Sequence, residues 1–164
     1  MNWIKMALIG ESGAGKTESV RRLGGILAVA DMDPHFEAGV VPEYPKVMDW
    51  ILNRTPGEKV LAISPHFRTF QLMTEARKRG ECVEQFRKIL FVHLWNPDPE
   101  QREERLRKTR RTASEIKNIL EYHRIFYDAC QGLADVTVKT DRLGIEEQVR
   151  ILKALRDGLI RGPS

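Results

Sequence analysis

Apolar residues in this chain gather into short unbroken runs, and between the runs they return every three or four positions. The runs cover 4–9, 26–30, 60–63, 89–95 and 136–138, and several of them are β-branched. Runs that are apolar without alternation suit strands covered on both faces, whereas strict alternation marks a sheet with one wet side. Five such runs interleaved with helical patterns predict a three-layer α/β sandwich. Its sheet is parallel and five-stranded, with helices on both faces and right-handed crossovers.

The helical stretches can be placed from their spacing and end signals. One covers 17–23. A second covers 44–53, with Val47, Trp50, Ile51 and Leu52 as its buried side. A third, 70–79, closes at Gly80, whose freedom to adopt positive φ suits the residue just past a helix end. Asn96-Pro97-Asp98-Pro99 stops the fourth strand and starts a helix with Glu100, Glu103 and Glu104 early, where the helix dipole favours acids. Ser114 is the expected N-cap of one long helix carrying Ile116, Ile119, Leu120, Ile125 and Phe126. The final helix, 145–159, has Val149, Leu152 and Leu155 on one side and ends near Gly158, and 162–164 reads as a frayed tail.

Chemistry enters directly after the first strand. Residues 10–17 read Gly10-Glu11-Ser12-Gly13-Ala14-Gly15-Lys16-Thr17, the G-x-x-x-x-G-K-[ST] spacing of a phosphate-binding P-loop. Glycines let backbone N–H groups curl around a polyphosphate, the lysine reaches its β/γ oxygens, and the adjacent hydroxyl ligates Mg²⁺. The candidate nucleotide-binding positions are Gly10, Ser12, Gly13, Ala14, Gly15, Lys16, Thr17 and Glu18, with Thr17 as metal ligand. Glu18 stands where many P-loop proteins carry a small or hydroxyl residue, and its side chain is given no further role. Lys16 is expected on a solvated loop.

Composition narrows the setting. At 164 residues the chain suits a single domain with a substantial core. A net charge of +4 favours anionic ligands without choosing between nucleotide and nucleic acid. Cys82 and Cys130 lack the spacing of a zinc site or disulfide framework and are expected as reduced thiols. No stretch approaches a membrane span and residues 1–9 do not read as a signal peptide, so a cytoplasmic protein is expected.

With these motifs in place, the chain resembles the P-loop small-molecule kinases of the nucleoside-monophosphate-kinase-like group over nearly its whole length. The resemblance is carried by the P-loop, by Pro97-Asp98-Pro99-Glu100 after the fourth strand, and by Arg105-Leu106 and Arg110-Arg111 in the position of the arginine-bearing lid. Glu121-Tyr122-His123-Arg124, Tyr127-Asp128 and Ala134-Asp135-Val136-Thr137-Val138 carry it through the last helix and strand. The third strand departs from the adenylate-kinase pattern, in which an aspartate leads into a substrate-binding arginine. Here Ile63-Ser64-Pro65 to Arg68 is similar to adenylylsulfate kinases and more loosely to gluconate kinases. Asp31-Met32-Asp33 is similar to the acidic pair of shikimate kinases and to the acid after the second strand of polynucleotide kinases and zeta-type toxins.

The resemblance implies a P-loop NTPase fold that uses ATP and Mg²⁺, with a small acceptor-binding region at about 34–59 and an arginine-rich lid at about 102–113. Phosphoryl transfer is mainly positioning and charge stabilisation. Lys16, Asp33 and Arg110 are the candidate catalytic residues; Asp31, Asp33, Arg68, Arg111 and Arg124 are candidates for binding the acceptor. Asp33, preferred over Asp31, lies just beyond a strand end, where open parallel sheets bind ligands. Arg105 is a further candidate for closing over phosphates, although charge runs are usually solvated helix faces. His93 sits in an apolar strand and reads as a satisfied interior histidine rather than a catalytic one; Trp95 and Phe67 read as core.

Several functions fit this set. The leading one is transfer from ATP:Mg²⁺ to a small anionic acceptor of nucleotide or nucleoside type, by a monomer or small homo-oligomer. A metabolite kinase of adenylylsulfate, gluconate or shikimate type and a polynucleotide 5′-hydroxyl kinase are the alternatives. An NTP-dependent switch or binding protein is the competitor from another class. Against the switch stand the absent Asn-Lys-x-Asp guanine-recognition pattern and the lack of a second large domain to drive.

Overall fold

The computed structural model describes residues 5–10, 15–24, 26–28, 44–54, 60–63, 67–108 and 111–160. A parallel sheet runs through the middle in the order β2-β3-β1-β4-β5. Its strands are β1 (Lys5–Ile9), β2 (Ile26–Ala28), β3 (Leu61–Ile63), β4 (Ile89–Trp95) and β5 (Val136–Lys139). Four strands are described to their side chains; the three-residue β2 is described by its backbone pairing with β3 alone. The register pairs Ile9 with His93 and Ala7 with Leu61, which puts the end of β1 between β3 and β4.

Both faces of the sheet are covered, as unalternating strands require. Ala7, Ile9, Leu61, Ile63, Ile89 and Phe91 point to one face. There they meet α2 (Tyr44–Asp49), α3 (Phe67–Lys78), α4 (Val83–Arg87) and α7 (His123–Leu133) through Val47, Met48, Phe70, Met73, Phe86, Cys130 and Leu133. Met6, Leu8, Ala62, Leu90, Val92 and Leu94 point to the other face and pack on α1 (Lys16–Arg22) and α8 (Ile145–Ile160) through Val20 and Leu152. Cys82 and Cys130 are free thiols.

Several boundaries differ from those expected, each for a local reason. The helix at 44–53 turns π-helical over Trp50–Arg54, and both Trp50 and Ile51 are buried. The extra residue per turn adjusts which side chains face the sheet. Thr112, not Ser114, caps the next helix: its Oγ1 accepts Glu115 N–H at 3.2 Å. The long helix expected from that cap is two, α6 (Ala113–Glu121) and α7, separated at Tyr122. The short α4 follows α3 without having been expected. The last helix runs through Gly158 to Ile160. Gly80 does end α3, at φ +75, with Gly80 N–H on Arg77 O and Glu81 N–H on Ala76 O, the paired bonds of a Schellman turn. Asp98 caps α5 (Pro99–Arg107), accepting from Glu100 and Gln101 N–H with Pro99 at the first helical position.

Candidate functional site

The loop after β1 is anchored at both ends by glycines that no other residue could replace without strain. Gly10 has φ +149, and a Cβ there would lie 2.4 Å from Leu94 O of the neighbouring strand. Gly15 has φ +91 as the N-cap of α1, and a Cβ there would lie 3.0 Å from Gln148 Nε2. The chain thus leaves β1 in contact with β4 and enters α1 against α8.

Lys16 opens α1 and is 8 % exposed, so the expectation of a solvated lysine is corrected: its stem is packed. Its ammonium donates to Gly10 O, spanning the loop from one end to the other. Thr17 follows, exposed at the start of the helix. Glu18 turns away along α1 to Arg22, at 3.1 Å, and to Arg21. Hydrogen bonding to Arg22 in the first place, with the charge of Arg21, lowers its pKa. Its side chain is thus committed to its own helix.

One buried and one half-buried polar residue fasten this geometry. Gln148 on α8 donates to Ser19 Oγ at 2.7 Å and reaches Gly15 O at 3.5 Å. Arg156, two turns further on, donates to Leu23 O at the far end of α1. Sequence reasoning passed over Gln148, yet a signal was present: it lies four residues before Leu152, on the apolar stripe of the last helix, where a polar side chain needs a partner.

The other candidates are distributed around the sheet. Arg68 lies in the first turn of α3, just beyond β3, and donates to Gln71 Oε1 one turn along the same helix. Arg111 precedes the Thr112 cap and Arg124 stands in the first turn of α7; both are exposed. Arg105 is half-buried on α5. Ser12, Gly13, Ala14, Asp31, Asp33 and Arg110 lie outside the described residues. The described structure brings together Gly10, Gly15, Lys16 and Thr17.

Beyond the end of β4 lies a cluster that the sequence did not single out. Asn96 is buried, donating to Gln101 Oε1 and accepting Asp98 N–H. Arg102, at 7 % exposure, donates to Asn96 O and lies against His123 at 2.9 Å from Nδ1. It belongs to the base of the expected lid and is packed rather than solvated. Burial first, and the Arg102 charge second, lower the pKa of His123. Tyr127 packs its ring on Trp95 at 4.9 Å and on His93 at 5.5 Å. His93 is fully buried with Nδ1 3.3 Å from Gln131 Oε1, and its pKa is pushed down to about 4, mostly by burial. The expected satisfied interior histidine is only half realised, because Nε2 has no hydrogen-bond partner among the described residues.

A groove of about 680 Å³ opens between α5 and α6, lined by Glu103, Arg107, Ile116, Lys117 and Leu120; none of its lining residues belongs to the loop. Among the described residues no group of three or more His, Cys, Asp or Glu side chains could hold a metal ion, and no helix is long and apolar enough to cross a membrane.

No protein-family model matches the chain, and no curated protein matches it by sequence. Solved structures do match its shape over almost the full length. A shikimate kinase from Acinetobacter baumannii, solved with shikimate, superposes with a TM-score of 0.56 at 16% identity, covering 92% of this chain and 91% of that one. The YorR protein of Bacillus subtilis, solved with phosphorylated GDP, gives 0.57 at 15% identity, covering 93% and 95%. The tunicamycin resistance protein of Deinococcus radiodurans gives 0.51 at 16% identity, covering 92% and 94%. At these identities the likeness shows a shared fold, a parallel sheet with helices on both sides.

Proposed function

We propose that the chain is an ATP:Mg²⁺-dependent kinase that transfers the γ-phosphoryl group to a small anionic acceptor, with a nucleotide or nucleoside-like molecule as the leading class. The observation that carries this reading is the Gly10–Lys16 arrangement at the end of the central strand. Two left-handed glycines fix the loop, and a packed lysine holds its ammonium across it. This donor set fits a polyphosphate: a lysine cation, backbone N–H groups and the Thr17 hydroxyl. Bound Mg²⁺ would be held by Thr17 and phosphate oxygens, and it supplies charge neutralisation at the β- and γ-oxygens. Lys16 neutralises the transferring group, and its packed stem keeps that charge in place as the reaction proceeds.

The remaining parts of the reading are the chain's own acids and arginines. Asp33, or Asp31, takes the acceptor's proton; Arg68, Arg111 and Arg124 hold its anionic group; Arg110 closes with the lid over 102–113 and keeps water from the phosphates. Fold likeness to a protein holding shikimate and to one holding phosphorylated GDP supports a small-molecule acceptor and favours neither. The metabolite-kinase reading draws on the Asp31–Asp33 pattern and the shikimate kinase likeness, and the polynucleotide reading on the basic charge. A nucleotide-driven switch is separated by one property: a kinase consumes ATP in response to an acceptor, a switch in response to a partner protein. ADP formation by the purified chain, measured with nucleoside monophosphates, adenylylsulfate, gluconate, shikimate and 5′-hydroxyl oligonucleotides in turn, is expected to rise sharply with one of them. Equal turnover with and without every acceptor would overturn the kinase reading.

A further inference from the structure

α6 has little beneath it. Ile116 is its one buried residue, Ile119 and Leu120 are half-buried, and the groove of about 680 Å³ lies between it and α5. The charges on the groove walls pair along their own helices, Glu103 with Arg107 at 2.7 Å and Lys117 with Glu121 at 4.0 Å. What happens at the ends of α6 therefore weighs heavily on where it lies. At its C-terminal end Tyr122 closes α6 and opens α7 with φ −89 and ψ 5, a bridge conformation at which the chain can bend.

Arg102 and His123 meet at that joint. Arg102 is 7 % exposed on α5, and its Nη1 donates to Asn96 O at 3.2 Å, just past the end of β4. The same Nη1 lies 2.9 Å from Nδ1 of His123, the first residue of α7, and within reach of Nε2 as well. A neutral imidazole has one ring nitrogen with a lone pair, so either tautomer can accept from Arg102; the imidazolium has no acceptor and repels the guanidinium. The charged and titratable groups around the ring are Arg102 from α5, His93 from β4 and Tyr127 on α7 itself, its ring centroid 6.4 Å away. Glu121 at the end of α6 and Arg124 are exposed. Burial, then the Arg102 charge, hold the pKa of His123 below 6.5, and the positive end of the α7 dipole acts in the same sense.

We propose that His123 is a positioning residue of the lid: as a neutral acceptor it ties Arg102, and through it the end of β4, to the α6–α7 joint, and on taking a proton it releases α6. The inference rests on the phosphoryl-transfer reading above for its catalytic consequence, but not for the release itself. Tied, the segment 102–113 is placed to close over the phosphates; released, it shields them less, so transfer slows and more ATP is lost to water. The tie is complete above pH 6.5 and is lost as pH falls through the folded pKa.

The test reads the ring and the helix separately. In protein labelled with ¹⁵N-histidine, the His123 ring, assigned by its loss in His123→Gln, is expected to titrate below pH 6.5. Hydrogen exchange over 113–121 is then followed at pH 7.5 and about one unit below that midpoint, corrected for intrinsic rates, with 89–95 as the gauge of global opening. The wild type is expected to lose about tenfold of its α6 protection at the lower pH, the effect of one lost charge-assisted hydrogen bond, and His123→Gln, an acceptor at both, far less. A ring that stays neutral down to pH 4, or the same loss of protection in both proteins, overturns the proposal. In turnover at pH 7.5 with the responding acceptor, His123→Phe is expected to lower kcat about tenfold and to raise the ATP hydrolysed per acceptor phosphorylated, with KM for ATP changed far less. His123→Gln is expected to recover part of that loss; equal losses in the two variants point to packing and overturn the proposal. If no acceptor is phosphorylated, the kinase reading falls while the ring titration and the exchange still decide this inference.

Discussion

At the scale of the residue, Lys16 and His93 occupy adjoining places and carry opposite electrostatic obligations. The Lys16 ammonium reaches across the loop to Gly10 O; His93 remains uncharged at neutral pH because it is buried. Lys16→Ala is expected to reduce phosphoryl transfer by at least about a hundredfold, since it removes the main fixed charge on the phosphates. Circular dichroism should be unchanged, and an activity within a few-fold of wild type would contradict the role. His93 also makes stability depend on pH. Its folded pKa, about 4, lies below the unfolded value of 6.5, so the unfolded chain binds the proton first as pH falls. The destabilisation begins below the unfolded value and grows down to the folded one, reaching about 2 kcal/mol at pH 5. His123 shifts in the same direction and adds to it. Urea unfolding at pH 7 and pH 5 should show this loss in the wild type and a smaller one in His93→Phe; identical pH dependence in the two would remove His93 from the account.

At the scale of the element, the helix ends and the tethers between helices determine where the loop sits. The sequence pointed to Ser114 as the cap of α6, but the cap is Thr112, which is extended at φ −73, ψ 161, while Ser114 lies inside the first turn. Thr112→Ala should therefore cost about 1 kcal/mol and Ser114→Ala less than half of that, measured by urea unfolding. The reverse order would restore the cap expected from the sequence. Runs of apolar residues foretold β1, β3 and β4 well because these strands are buried on both faces, and 89–95 coincides with β4. The break at Tyr122 was not legible, since Ile116 to Phe126 continue one helical period across it. The π-helical turn at Trp50–Arg54 is likewise set by packing, not by propensity. Gln148 shows the same limit: its place on the stripe was visible, but its partner, 129 residues away, was not. Gln148→Leu leaves the buried Ser19 hydroxyl unpaired and is expected to cost about 1–3 kcal/mol. KM for ATP should rise as well, because the tether to Gly15 is lost; an unchanged KM alongside the lost stability would confine Gln148 to the fold.

At the scale of the whole molecule, the strand order β2-β3-β1-β4-β5 places the end of β1 between two parallel neighbours, and the loop opens there. The architecture and the turn from Gly10 to Lys16 were legible because both depend on local pattern: burial for the strands, glycine and lysine spacing for the turn. The cluster of Asn96, Arg102, His123 and Tyr127 was not, because it assembles residues from β4, α5 and α7 whose proximity exists only in three dimensions. The acceptor was not legible either, since the candidates for holding it, Asp31, Asp33 and a scatter of arginines, are united by no short spacing. The most direct measurement is transfer itself: the chain is given Mg²⁺ and ATP labelled with ¹⁸O in the γ-phosphoryl group, and the acceptor that raises ADP formation is recovered for mass spectrometry. The account predicts that the labelled phosphoryl group appears on that acceptor in step with ADP, and that Lys16→Ala abolishes both. Label found only in inorganic phosphate, with every acceptor unchanged in mass, would show hydrolysis without transfer and contradict it.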